Sequence, residues 1–421
     1  MPSYPYHLGV QIDFANGPSF GNPLLLDDPS TPLNVGILAD LPADVVDVSD
    51  IALTVSTRRG RNRILNKFEA GSATVILQDD NGDWNPANIS SPYYGKLIPL
   101  RKIRIWIEDL SINTKYYLFS GYITSYVNNY KLGFDDTSSV TISCVDGFRL
   151  LSNIQIASVP LGVVNQYSGE RIDTLLNLAD WPVSQRAIST GSSTMQVDPG
   201  TTRNLLDSIQ TVENSEFGGF WIDAQGNAHF ESRTEIIQAA DAVIWTFSDT
   251  GTDIPYSGIE LANDDTVVTN DVTVTRLNGT PVNVQDATSI TTYFTHSGIR
   301  EGILVQTDAE SLDMATLILN ARKDAAVRMD SITLRLDDVS VTDDRFDAAL
   351  GAEFFQLINA TKTVPGGSTI TKELFIQGLQ HDITPSSWSL KILTAEPIIQ
   401  GFLLDSTVQG ILDSTANVLA Y

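Results

Sequence analysis

Cysteine is almost missing from this sequence of 421 residues: Cys144 is the only one, so no disulfide can form within the chain. Histidine is scarce too, with four scattered copies, and the Cys/His spacing of a metal site is absent. We expect no metal and no cofactor. Basic side chains are outnumbered, 26 Lys and Arg against 51 Asp and Glu, for a net charge of −25. Phosphate backbones repel such a polyanion, which argues against sequence-reading nucleic-acid binding. No apolar run approaches the roughly 18 residues that cross a bilayer. The start Met1-Pro2-Ser3-Tyr4-Pro5-Tyr6 lacks the basic and apolar stretches of a secretory signal. The expectation is a product made in soluble form in the cytoplasm.

Hydrophobic residues make up 42% of the chain and charged residues 18%, a composition that builds packed cores rather than disorder. At roughly 100 to 200 residues per domain, the length allows two to four domains. The charge is unevenly spread: residues 1–150 carry 12 basic and 16 acidic side chains, and residues 151–421 carry 14 and 35. Five of the early basic residues, Arg58, Arg59, Arg61, Arg63 and Lys67, fall within ten positions. A solvated loop is the plain reading, but crowded like charges favour an acidic neighbour, so the cluster is also a candidate interface.

Residues 50–150 alternate as strands do. Ala73-Thr74-Val75-Ile76-Leu77, Ile103-Arg104-Ile105-Trp106-Ile107, Tyr116 to Ile123 and Ser139 to Val145 are separated by turn chemistry, and Asn81-Gly82 reads as a hairpin turn. This pattern predicts an antiparallel barrel or sandwich. From about 169 the period becomes helical: Ile172, Leu175 and Leu176 share a face, then Leu205, Ile209 and Val212, with Thr201 or Thr202 as cap. Gly219 to Phe230 reads as a hairpin around Gln225-Gly226-Asn227. Strands return at 271–276, a helix is expected over 308–329 with Asp308 as cap, and strands follow at 331–336, 374–379 and 387–393.

The fold class predicted is therefore mixed, mainly β: two antiparallel β-barrels with an inserted α+β domain. The boundaries expected are a first barrel over 1–155, the α+β insert over 156–258, a second barrel over 259–397 carrying its own helix, and an extended tail over 398–421. Within that tail Leu403-Leu404-Asp405-Ser406-Thr407 recurs as Ile411-Leu412-Asp413-Ser414-Thr415. Two copies are too few for a solenoid. Leu403, Leu404, Ile411 and Leu412 are candidate docking residues, because an apolar tail tends to pack on its own body or a neighbour.

No catalytic set is found. Cys144 lies in a strand pattern, where a buried thiol is a small hydrophobe. His229-Phe230-Glu231 opens a deaminase signature that no Pro-Cys-x-x-Cys completes. His-Glu-x-x-His, Gly-x-Ser-x-Gly and the phosphate-cradling glycine motifs are all missing. Asp79-Asp80-Asn81-Gly82-Asp83 invites a cation, but Trp84 and Ser90 stand where the helical calcium loop needs Gly and Glu. His381 reads as a polar turn residue before Trp388.

Several stretches in order carry a family resemblance: Arg58-Arg59-Gly60-Arg61, Phe68 to Val75, Asp79 to Pro86, Ser91-Pro92-Tyr93, Leu100 to Ile105 and Phe119-Ser120-Gly121-Tyr122-Ile123. With Ile376 to Pro385 before Trp388 and the ending Leu419-Ala420-Tyr421, the chain resembles the minor tail proteins of long-tailed phages, in particular baseplate or tail-tip hubs. The resemblance covers most of 7–155 and scattered parts of 220–421; residues 23–40 have no counterpart in it. It implies a structural virion protein at the tail tip, two similar barrels per chain, and a homotrimer adapting a sixfold tube to a trimeric tip or fibre. The partners it implies are a distal tail ring, the tape measure and a central fibre or spike, with DNA passing without specific binding. The competing readings are a carbohydrate-binding adhesin using Trp84, Tyr93, Tyr94, Trp221 and Trp388 as sugar platforms, and a wall-degrading enzyme.

Overall fold

The computed structural model describes residues 6–15, 44–62, 67–131, 137–239, 242–251, 253–337 and 343–396, with the backbone of 400–401 and 417–418. Arg63, the segment 23–40, and Leu403, Leu404, Ile411 and Leu412 of the C-terminal repeat lie outside the described residues.

Thirteen strands form one large sheet. In chain order they are β1 (Tyr6–Asp13), β2 (Val45–Asp47), β3 (Ala52–Asn62), β4 (Lys67–Gln78), β5 (Lys102–Asp109), β6 (Thr114–Asn129), β7 (Ser139–Val145), β8 (Val243–Ser248), β9 (Gly258–Ala262), β10 (Arg328–Arg335), β11 (Leu357–Thr363), β12 (Thr369–Ile383) and β13 (Trp388–Ala395). Side-chain alternation explains them. Val140, Ile142 and Cys144 of β7 and Trp388, Leu390 and Ile392 of β13 are buried, and the residues between them are half-exposed. Each buried aliphatic chain contributes about 1.5 to 3 kcal/mol, so one register is strongly favoured over a slip of one residue.

The chain leaves this sheet twice. After β7 it builds α1 (Ser168–Leu178) and α2 (Leu205–Glu216) and the hairpin Gly219–Ile222 with Ala228–Glu231, whose turn uses Gly226 at φ +91°. The cap of α2 is Asn204, whose side chain accepts from Asp207 N at 2.7 Å. The helix therefore starts later than Thr201 and ends where Phe217 turns left-handed at φ +58°. Between β9 and β10 a second excursion packs three short strands, from Asp271 to Ile303, against α3 (Asp308–Arg322), capped by Thr307. A separate small core of Val272, Val274, Ile303, Met314, Ile318 and Leu319 holds it together. Helix α4 (Asp343–Gly351) lies between β10 and β11. Among the described residues no helix is long and apolar enough to cross a membrane.

The strand order within the sheet is β9-β10-β13-β12-β3-β4-β7-β6-β5-β1-β2, with β11 beside β12 and β8 beside β11. It contains one arrangement twice. With β2 set aside, the first six strands lie in space as β3-β4-β7-β6-β5-β1 and the second six as β9-β10-β13-β12-β11-β8. Numbered along the chain within each unit, both orders are second, third, sixth, fifth, fourth, first.

The match extends to single residues. In the first unit Tyr122 of β6 pairs with Lys102 of β5 on one edge and Val145 of β7 on the other, and the ladder to β7 breaks register after Ile123. In the second, Phe375 of β12 pairs with Leu357 of β11 and Ala395 of β13, and the ladder breaks after Ile376. The bulge thus follows one residue after the crossover in both units, and bulges fix register and twist. Differences remain: β1 is antiparallel to β5, whereas β8 is parallel to β11, and the β5–β6 ladder shifts register after Ile105 where the β11–β12 ladder runs unbroken.

Several expectations are corrected. The molecule is mainly β with a large antiparallel sheet, but among the described residues no closed barrel is found; the units join as one sheet through β12 and β3. Asn81-Gly82 does not close a hairpin, since β4 pairs with β3 and β7 and not with β5. Residues 79–94 instead form a series of four-residue turns that share their end residues, Gly82 N to Asp79 O, Asn85 to Gly82, Asn88 to Asn85, Ser91 to Asn88 and Tyr94 to Ser91. The helix expected to reach 329 stops at Arg322, and β10 begins at Arg328. His381 is no turn residue: it sits buried inside β12.

Candidate assembly interface

The sheet has a seam where its two units meet, and that seam is internal to this chain. The second half of β12 is held on both sides. Its Gly378 to Ile383 pair with β13, and on the other edge with β3 from Gly60 to Val55. Glycine is required at the crossing: a Cβ on Gly60, whose φ is +146°, would sit 2.4 Å from Gly378 Cα and 2.6 Å from Gln377 O. Further along, Ser56 Oγ donates to Asp382 Oδ1 at 2.6 Å. Trp388 Nε1 donates to His381 Nδ1 at 3.3 Å. Burial, with the nearby Arg59 charge adding to it, pushes the His381 imidazole down to about 3, so it stays neutral and can accept that bond.

The basic cluster runs along this seam. Residues 58–62 are strand rather than loop, because Arg59 and Arg61 find partners inside the protein. Arg59 is 6% exposed; its Nε donates to Leu118 O at 3.1 Å, its Nη2 meets Glu353 at 3.1 Å, and its guanidinium lies 5.1 Å from the Phe354 ring. Arg61 lies over Phe68 and Phe355 at 5.7 and 6.0 Å. Arg58 projects outward, 54% exposed, with Glu69 3.6 Å away. Lys67 Nζ donates to Gln210 Oε1 at 3.4 Å. Three of the four described cations, Arg59, Arg61 and Lys67, thus tie the sheet to distant parts of its own chain.

Beneath them lies a buried carboxyl. Glu213 of α2 is 1% exposed, with the Phe220 backbone N–H as the donor that faces its carboxyl. Burial raises it to about 7, against the pull of Arg61, Lys67 and Arg300. A carboxyl raised in the folded state contributes stability below its ordinary range, and that contribution is lost as pH rises towards 7. Glu213→Gln should therefore match the parent protein at pH 5 and exceed it by about 2 kcal/mol at pH 8 in denaturant unfolding. Equal stability of both proteins at pH 8 would contradict this.

The remaining candidates fall as follows. Trp84, Trp221 and Trp388 are 2%, 5% and 1% exposed, so three of the five proposed sugar platforms are core; Tyr94 is exposed. Cys144 is buried, and burial pushes its thiol up. His229 stacks on Trp221 and contacts Asp223 Oδ2 at 3.0 Å. Among the described residues no group of three or more His, Cys, Asp and Glu is placed to hold a metal. Glu353, Glu213 and the Gly60–Gly378 crossing were not singled out from sequence. The one available hint was a glycine inside a basic run.

No family model matches this sequence, and no curated protein matches it. Solved structures do. The tail protein from Neisseria meningitidis MC58 is similar over 93% of this chain and 97% of its own, at 12% identity and a TM-score of 0.56. The 43 kDa tail protein of prophage MuSo2 from Shewanella oneidensis is similar over 84% of this chain and 96% of its own, at 12% identity and a TM-score of 0.53. The resemblance read from the residues is thereby met at the level of architecture: this chain has the fold of phage tail proteins.

Proposed function

We propose that this chain is a structural protein of a phage tail, a hub at the distal end of the tube that adapts sixfold symmetry to a trimeric tip or fibre. The observation that carries the reading is the repeated strand order, matched to the single residue at the bulge. A chain with two equivalent units presents six in a trimer, which is what a sixfold tube needs of a threefold partner. The fold shared with two tail proteins, one of them from a prophage, supports the tail as its setting. On this reading each six-strand unit is one lobe of the hub, the second taking in β8 and the start of β9 from the stretch first expected to belong to the insert, and the helices and hairpin of residues 148–239 stand outside the ring. Arg58 and the tail residues Leu403, Leu404, Ile411 and Leu412 are candidates for contact with the neighbouring tail ring or fibre. The acidic excess of residues 151–421 would keep passing DNA from adhering to a lumen they line, since like charges lower sticking.

The test is placement in the particle. Gold-labelled antibody against this chain should mark the tail end away from the head. Label on the head, along the whole tube, or on no particle at all would overturn the proposal.

A further inference from the structure

The internal seam has an unfilled counterpart. In the second unit the edge of β12 that carries β11 is taken over, past the bulge, by β3 of the first unit. In the first unit the corresponding edge of β6 carries β5 only as far as Ile123, which exchanges backbone hydrogen bonds with Leu100 and Arg101. Beyond it, among the described residues, no strand pairs with that edge of Ser125 to Asn129. The strand equivalent to β3 in the second unit is β9, which pairs with β10 and leaves its other edge without a described partner. One unit thus lacks what the other can offer only from a different molecule.

We propose that β9 of a second copy of this chain pairs antiparallel with the β6 edge at 125–130, repeating between molecules the seam that β3 and β12 make within one. The register follows from the shared ladders. Ser125, Ser143, Thr74 and Ser56 lie across the first unit as Gly378, Leu393, Ser331 and Glu260 lie across the second. Asp382 opposite Ser56 therefore translates into Asn129 opposite Glu260. The chemistry is kept with donor and acceptor exchanged: a hydroxyl on β3 donates to a carboxylate on β12, and here the Asn129 amide on β6 donates to the Glu260 carboxylate on β9. Within one molecule that amide reaches Thr141 Oγ1 only at 3.5 Å. Glu260 Oε2 already accepts from Ser331 and Lys391, and its Oε1 takes the new bond.

Both edges look like waiting surfaces. Val127 and Tyr130 are 50% and 55% exposed and Leu261 is 37% exposed. Neither 125–130 nor 258–262 contains the Lys or Pro that usually guards an open edge. The proposal rests on the hub reading for the number of copies alone.

The experiment uses the full chain carrying Asn129→Cys and Glu260→Cys. Directly opposed Cα atoms lie about 4.5 to 5.5 Å apart, within disulfide reach, and Cys144 is buried away from them. Mild oxidation should give covalent trimers on non-reducing gels, and neither single variant should crosslink. Native trimers without interchain disulfides would overturn the seam and leave the trimer standing. Covalent rings of another size would keep the seam and overturn the threefold reading. Monomers without crosslinks would overturn both. A second pair of variants reads the same contact without cysteine. Asn129→Asp sets two carboxylates face to face and should weaken assembly about tenfold or more, and adding Glu260→Gln should restore it. An Asn129→Asp protein that assembles as tightly as its parent would also overturn the seam.

Discussion

Replacing Gly60 with valine should cost about 4 kcal/mol or more, and should separate the two units of the sheet. The new Cβ would meet the backbone of β12 at 2.4 Å from Gly378 Cα, and backbone, unlike the end of a flexible side chain, cannot swing aside. A β-branched residue at φ +146° adds backbone strain to the clash. The two contributions can be told apart with Gly251→Ala, where φ is +90° and nothing lies within 4 Å of the new atom; that change should cost only about 1 kcal/mol. Urea unfolding of both variants provides the comparison. If Gly60→Val unfolds at the same midpoint as Gly251→Ala, the close crossing of β3 and β12 is not a real constraint.

The second large effect is expected at Asp146, where the chain leaves the first unit for the helical insert. Its carboxyl is 3% exposed and accepts from Gly71 N at 2.6 Å and Phe148 N at 2.9 Å. Asp146→Ala orphans two buried donors, each worth about 1 to 3 kcal/mol, so a loss of roughly 2 to 5 kcal/mol is expected. Burial raises this carboxyl to about 7, against the pull of its two backbone donors and Arg59. Its favourable contribution is therefore complete at acid pH and shrinks as pH rises through 7. The penalty of the alanine variant should accordingly be larger at pH 5.5 than at pH 8. A penalty that grows with pH would show that the carboxylate, not the neutral acid, holds the junction.

The strands were legible wherever burial is one-sided. Ala73, Val75 and Leu77 of β4 and Val140, Ile142 and Cys144 of β7 alternate with more exposed residues and are buried as their spacing implies, whereas in β5 Trp106 is buried on the face opposite Ile103, Ile105 and Ile107. Helices α1 and α2 showed through their period, although Asn204 and not Thr201 caps the second. What stayed hidden was anything decided by distant residues. Arg58-Arg59-Gly60-Arg61 looks like a solvated loop because Glu353, Phe354 and Phe355, which draw Arg59 and Arg61 inward, are nearly 300 positions away. Asn81-Gly82 gave the right turn chemistry and the wrong neighbour, since a local turn does not say which strand the next one pairs with. The duplication was expected from the resemblance, but its evidence lies in pairing order and bulge position.

End-on imaging of the purified, assembled chain by single-particle electron microscopy tests the central claim most directly. Two equivalent units per molecule, sealed to the next copy along β6 and β9, predict a closed ring of six lobes with threefold symmetry, built from three chains of 45.9 kDa. A ring with an odd number of lobes, or particles that show isolated two-lobed molecules at every concentration, would contradict it.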